Sequence, residues 1–267
     1  MLSKEERTRY SRQLLITDFG KAGQEKLKSS KVFVSGLGGL GSVITLYLAA
    51  AGIGTLRIVD KGKVELSNLN RQILYDSDDI GKKKAEAAKE KLERLNPNIK
   101  IEAMAQTITE RNAIDLISNS DVIVDALDNY STRYILNRVA LRKKVPFFYG
   151  AVRGFQGMLT SIIPGKTGCL RCLVPTPPAP SLVPIMGVTP AMIGCLQTTE
   201  VLKYIVGIGE LFMNRVLLFD SLNLKFEVIT FKKRETCPDC GEYQEKRKGH
   251  GRMGIRDVRK ETHYDGQ

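Results

Sequence analysis

Hydrophobic positions along the chain change period several times, and each change marks an element. Val32, Phe33 and Val34 form a short apolar run, residues 36–41 interrupt it with glycines, and residues 40–51 are almost entirely apolar. A second short run, Leu56, Ile58 and Val59, ends on Asp60. Short apolar runs bounded by glycine around a longer one predict strand, tight turn, buried helix, strand. Ala85, Ala88, Leu92 and Leu95 then recur at helical spacing, which predicts an amphipathic helix over about residues 83–95. It stops at Asn96-Pro97, because proline disfavours helical backbone in the residue before it. Residues 99–103 alternate like a third strand. Residues 121–125 and 146–149 read as a fourth and fifth strand, separated by a helix carrying Arg133, Tyr134, Leu136 and Asn137. This alternation predicts an α/β fold, a doubly wound, Rossmann-like, mostly parallel sheet.

From Gly157 the pattern changes. Residues 158–163, 216–219 and 226–231 read as strands with no helix folding back between strand pairs, which predicts antiparallel strands extending the sheet. Between them, residues 175–190 hold six of the ten prolines. That composition predicts an extended connector or a strap across the site, excluding helix and central strand. Residues 191–205 read as helical. Residues 1–30 are amphipathic and helical, with a turn at residues 20–23. The expected organisation is one domain over residues 1–245: N-terminal helices (1–30), a nucleotide-binding core (31–164), and a part with the strap, a helix, antiparallel strands and cysteine pairs (165–245). A polar, mobile tail (246–267) follows.

Composition narrows the setting. The 267 residues are enough for one large α/β domain or two small ones. No apolar span of about 18 residues occurs, and the charged N-terminus has no signal-peptide core, so the cytoplasm is expected and a membrane is not. The 41 basic and 29 acidic residues leave a net charge of +12, but the cations are spread along the chain. No strip combines aromatic and basic residues for stacking bases, which argues against a nucleic-acid partner. Four of the five cysteines form two CxxC pairs, Cys169/Cys172 and Cys237/Cys240. In a cytosolic chain such pairs favour a four-thiolate structural Zn²⁺ site over disulfides. A redox CxxC is the rival reading, but neither pair follows a strand and opens a helix. Cys195, in an apolar helical stretch, is expected to be a buried, inert thiol.

The candidate chemistry lies around the first turn. Gly36-x-Gly38-x-x-Gly41, with Gly39 between, lets backbone approach a phosphate at a helix N-terminus. Asp60, 19 positions after Gly41, stands where a carboxylate takes ribose hydroxyls. Such a pattern ordinarily suggests NAD, yet the two histidines, His250 and His263, both lie in the tail, against the commonest dehydrogenase chemistry. Arg71, Lys84 and Asp128 instead suit reactions at phosphorus. Two cations would neutralise a displaced polyphosphate and the carboxylate would hold Mg²⁺. Singly, each also fits a bland role: Arg71 a surface ion pair, Lys84 a solvated lysine, Asp128 a helix N-cap.

The segments RYSRQ, GLGGLGS, SNLNRQ, IGKKKAEAA, LNP, DALDN and the paired CxxC occur in this order from about Arg9 to Gly241. In them the chain resembles the MoeB/ThiF/HesA adenylyltransferases, relatives of ubiquitin-activating enzymes. The resemblance implies ATP rather than NAD. It implies a small ubiquitin-like or sulfur-carrier protein ending in Gly-Gly, whose C-terminal carboxylate is adenylated with release of pyrophosphate. It further implies that Asp60 holds the ribose and that Gly39 lies beside the nucleotide. Ser67, Asn68, Leu69, Asn70 and Arg71 would line the triphosphate, Lys84 would contact phosphate, and Asp128, followed by Asn129, would position Mg²⁺. Arg12 matches an arginine that reaches the neighbouring subunit's site, which implies a homodimer, and the zinc is structural. Two positions depart from the family's pattern. The segment before the Gly187-Val188 pair holds no cysteine, which implies activation without covalent capture, and Gly62 stands where relatives often carry Asp. Adenylation of a tRNA base or a peptide, an NAD-dependent oxidoreductase and a non-catalytic scaffold are the competing readings. The intact Arg71, Lys84 and Asp128 set argues against the scaffold.

Overall fold

The computed structural model describes residues 1–179 and 183–241. Helices α1 (Lys4–Arg9), α2 (Ser11–Leu14) and α3 (Gly20–Ser29) lead into β1 (Lys31–Ser35), α4 (Gly39–Ala51) and β2 (Thr55–Val59). There follow α5 (Lys84–Leu95), β3 (Lys100–Met104), α6 (Ala113–Ile117), β4 (Val122–Asp125), α7 (Tyr130–Lys143) and β5 (Phe147–Arg153). Then come β6 (Gln156–Ile162), α8 (Leu170–Leu173), α9 (Val188–Val206), β7 (Arg215–Asp220) and β8 (Lys225–Thr230). One eight-stranded sheet runs in the order β3-β2-β1-β4-β5-β6-β7-β8. Its first five strands are parallel, and β5 to β8 pair antiparallel, as the pattern predicts.

Strand alternation divides the core between the two faces of the sheet. Val32, Val34, Leu56 and Ile58 pack with Ile44 and Leu48 of α4, Leu92 of α5 and Ile193 of α9. Phe33, Ile123 and Phe147 pack on the other face against Leu116 of α6 and Leu136 and Val139 of α7. Each such side chain, fully withdrawn from water, contributes about 1.5–3 kcal/mol. Glu200 ties α9 to the antiparallel part: its carboxylate accepts hydrogen bonds from the Ser161 hydroxyl and the Phe212 amide, both at 2.7 Å.

Several boundaries differ from the sequence reading. Residues 20–23 are not a turn; Gly20, at φ +49°, opens α3. The strap is not extended to its end, because α9 already begins at Val188. Pro190 is tolerated there because the amide it lacks would have no partner in a first helical turn. β5 runs four residues beyond Tyr149 and turns into β6 at Gly154, whose φ of +58° suits glycine. Short α6 gave no periodic signal. The tail expected at residues 246–267 lies outside the described residues.

Candidate functional site

The register of the parallel strands builds the site. Ser35 pairs with Val59 on one side and Asp125 on the other, so Gly36, Asp60 and Ala126 leave the sheet side by side. The Gly36 amide donates to the Val59 carbonyl and the Ala126 amide to the Ser35 carbonyl, each at 2.9 Å. Gly36 adopts φ +89°, and a Cβ there would lie 2.6 Å from the Ala126 carbonyl oxygen. At Gly41 a Cβ would run into the Gly36 carbonyl oxygen. The glycines are therefore required by the turn itself, which then feeds the N-terminus of α4. That end has Gly38 as its cap and no side-chain cap, so its first amides and the positive end of the helix dipole face outward.

Asp60 braces this loop from the neighbouring strand. Its Oδ2 accepts the Leu37 amide at 2.8 Å and its Oδ1 the Gly62 amide at 2.7 Å, leaving a lone pair on each oxygen. Tyr75, which the sequence reading passed over, donates its hydroxyl to the Leu37 carbonyl at 3.1 Å. Burial, reinforced by the Asp60 charge, pushes the Tyr75 phenol well up, so it stays a donor. Lys84, the first residue of α5, is half-buried, and its amide donates to the Gly62 carbonyl at 2.9 Å. A Cβ at Gly62 would meet the Asp60 Oδ1 at 3.1 Å and the Lys84 side chain at 3.7 Å. Glycine at this departure point leaves room for both.

The Asn-rich loop forms the opposite wall. Leu66–Asn68 is a 3₁₀ turn, and the Arg71 guanidinium donates to the Ser67 carbonyl at 2.8 Å and to Asn70 Oδ1 at 2.9 Å. No ion pair to Arg71 occurs among the described residues, which removes the surface-pair alternative. Gln72 is buried beside Gly38 with its Oε1 unpartnered, and Ser42 Oγ in α4 is buried and unpartnered too. The end of the strap closes over this wall. A Cβ at Gly187 would lie 3.2 Å from the Arg71 Cα, and one at Gly39 3.0 Å from Pro190.

Asp128 follows β4 and is exposed, its Oδ1 accepting the Asn129 side-chain amide at 3.3 Å. The N-cap of α7 is Asn129, whose side chain accepts the Thr132 amide at 3.0 Å, so Asp128 is not spent on capping. Its oxygens fit a hard cation such as Mg²⁺. Beneath it Asp125 and Arg133 are buried together. Burial pushes the Asp125 carboxyl up to about 6, and the Arg133 charge beside it opposes that rise. Arg12 stands apart: it is exposed on α2 and bonds to none of these residues.

The cysteine pairs converge at the other end of α7. Contrary to the sequence reading, the first pair does open a helix, with Cys169 as the N-cap of short α8 and Cys172 within it. Cys237 and Cys240 follow β8, and the four sulfurs lie within 4.8 Å of one another. The Cys169–Cys237 and Cys172–Cys240 separations are 3.6 and 3.4 Å, far beyond a disulfide bond. A tetrahedral ion with bonds of about 2.3 Å needs sulfurs about 3.8 Å apart, so the cluster fits zinc. The Arg234 amide donates to Cys172 Sγ at 3.3 Å, the kind of contact that steadies a thiolate ligand. Cys195 corrects an expectation. It is exposed, because Gly194 is the residue that α9 turns against Leu40 and Val43 of α4.

This fold and site define a doubly wound α/β protein with a glycine turn at its sheet edge and a four-cysteine cluster attached. The chain belongs to the ThiF family, whose model matches residues 10–240. It is 40% identical to the sulfur carrier protein adenylyltransferase of Thermus thermophilus over 251 residues, 90% of this chain and 93% of that protein. It is also 40% identical to the SAMP-activating enzyme E1 of Haloferax volcanii over 240 residues, 88% of each. The probable adenylyltransferase/sulfurtransferase MoeZ of Mycobacterium tuberculosis is 38% identical, with 64% of its length covered. Among solved structures the fold matches Escherichia coli MccB with ATP (TM-score 0.78, 26% identity, 90% of this chain and 75% of that one). The chain is an adenylyltransferase, which sets aside the oxidoreductase and scaffold readings. Among the described residues no helix is long and apolar enough to cross a membrane.

Proposed function

We propose that this enzyme uses ATP to adenylate the C-terminal glycine of a small ubiquitin-like sulfur-carrier protein ending in Gly-Gly. The observation that carries the reading is the strand register, which brings the glycine turn, Asp60 and the Asp128 loop to one edge beside Arg71 and Lys84. In this reading the ribose hydroxyls bond the free lone pairs of Asp60. The turn of Gly36, Gly38, Gly39 and Gly41 admits the phosphates, and Ser67, Asn68, Leu69, Asn70 and Arg71 line the triphosphate. A glycine carboxylate oxygen attacks the α-phosphorus, the bond to the bridging oxygen breaks, and pyrophosphate leaves with the electron pair. Lys84 and Arg71 lower the barrier by neutralising charge on the approaching carboxylate and the leaving group. Asp128, next to Asn129, would hold Mg²⁺, which screens the phosphate oxygens. Arg12, exposed and unused in its own site, would serve the site of a second copy in a homodimer. Zinc at Cys169, Cys172, Cys237 and Cys240 would be structural. No cysteine precedes Gly187 in the strap, so the acyl-adenylate passes on uncaptured. Reduced thiolates and consumption of ATP suit the cytoplasm.

A peptide C-terminus is the second reading, favoured by the likeness to Escherichia coli MccB in complex with MccA-N7isoASN (TM-score 0.81, 25% identity). Exchange of labelled pyrophosphate into ATP separates the two. Exchange that depends on an endogenous carrier with a Gly-Gly terminus is expected; exchange with a free peptide alone would favour the second reading.

A further inference from the structure

Asp128 follows a peptide unit that is gripped from beneath. Asp125 Oδ1 accepts the Leu127 amide at 3.0 Å, and Arg133 Nη2 donates to the Leu127 carbonyl. The same nitrogen donates to the Gly150 carbonyl at 2.9 Å, joining β4 to β5. The two side chains meet at 3.0 Å between Arg133 Nε and Asp125 Oδ2, an electrostatic contact rather than an aligned hydrogen bond. The guanidinium lies between the rings of Tyr130 and Tyr149, at 5.2 and 5.0 Å from their centroids, and their hydroxyls bond each other at 3.1 Å. Leu127 in turn packs towards Gly36 of the glycine turn.

Stability alone does not account for this arrangement. Withdrawing two charges from water offsets much of their attraction, and apolar residues of the same volume would fill the space as well. What apolar residues cannot do is hold both the N–H and the C=O of one residue. The planar fork of arginine can bond two carbonyls while facing a carboxylate, and lysine cannot reproduce it.

We propose that Arg133 is a positioning residue which, through Asp125 and the Leu127 backbone, aims the Asp128 carboxylate at the metal–triphosphate. The proposal rests on the adenylation reading above. The test is pyrophosphate exchange by Arg133→Lys and Asp125→Asn as a function of Mg²⁺, beside AMP binding without metal and a thermal melt. Supporting residues of this kind are worth about 10- to 100-fold in metal affinity. The half-saturating Mg²⁺ should therefore rise about tenfold or more, while metal-free AMP, held at the Asp60 end, binds as before. Asp128→Asn added to Arg133→Lys should cost far less than it does alone, because both act through one carboxylate. A folded Arg133→Lys enzyme with unchanged Mg²⁺ dependence, or with AMP binding weakened as much as metal binding, would overturn the proposal. Collapse of the fold in both variants would also overturn it by assigning the pair to stability. Absence of exchange in the unaltered enzyme with every carrier would instead count against the adenylation reading.

Discussion

The parallel and antiparallel halves of the sheet are built to different standards. In β1 and β4 every residue after Lys31 is buried, and helices cover both faces. At the other edge all six residues of β8 are exposed, Phe226 and Val228 among them. Burial and register thus fix the loops of the parallel half from below, while the proposed zinc at the four cysteines would fasten the end of the antiparallel half.

Substitutions on each side can break this contrast. Arg71→Ala or Asp128→Ala should lower carrier-dependent exchange about a hundred- to a thousandfold. Their stability should change by less than about 0.5 kcal/mol, since neither is buried; a melt shifted as strongly as the activity would remove their assigned roles. Cys172→Ser should abolish bound zinc, measured by metal analysis, and lower stability by several kcal/mol. For a chain of this size that is a fall in Tm of about 10 °C. AMP binding at the glycine turn should survive that change below the melt, and its loss in step with zinc would erase the distinction between the halves. The smallest effect is expected at Cys195. Cys195→Ser should leave exchange within about twofold, as for an exposed substitution outside the site. A carrier adduct on Cys195 would contradict the reading that activation proceeds without capture.

Features written in consecutive residues are legible in the sequence itself. The glycine turn, the acid at the end of β2, the helix stop at Asn96-Pro97 and both CxxC pairs follow from local spacing. The features that escaped are made between distant residues. Tyr75 reaches Leu37 across 38 positions and Arg133 reaches Gly150 across 17, and neither carries a local signature. Cys195 was misjudged because apolar neighbours do not say which side of α9 faces α4. That choice is made by Gly194, which lets the two helices approach closely.

The most direct measurement follows the oxygen that the carrier donates. With a carrier whose C-terminal carboxylate bears heavy oxygen, ATP, Mg²⁺ and a thiol to consume the adduct, the AMP formed should contain one labelled oxygen and the pyrophosphate none. Label in phosphate or pyrophosphate, or AMP formed without label, would contradict attack of a carboxylate on the α-phosphorus.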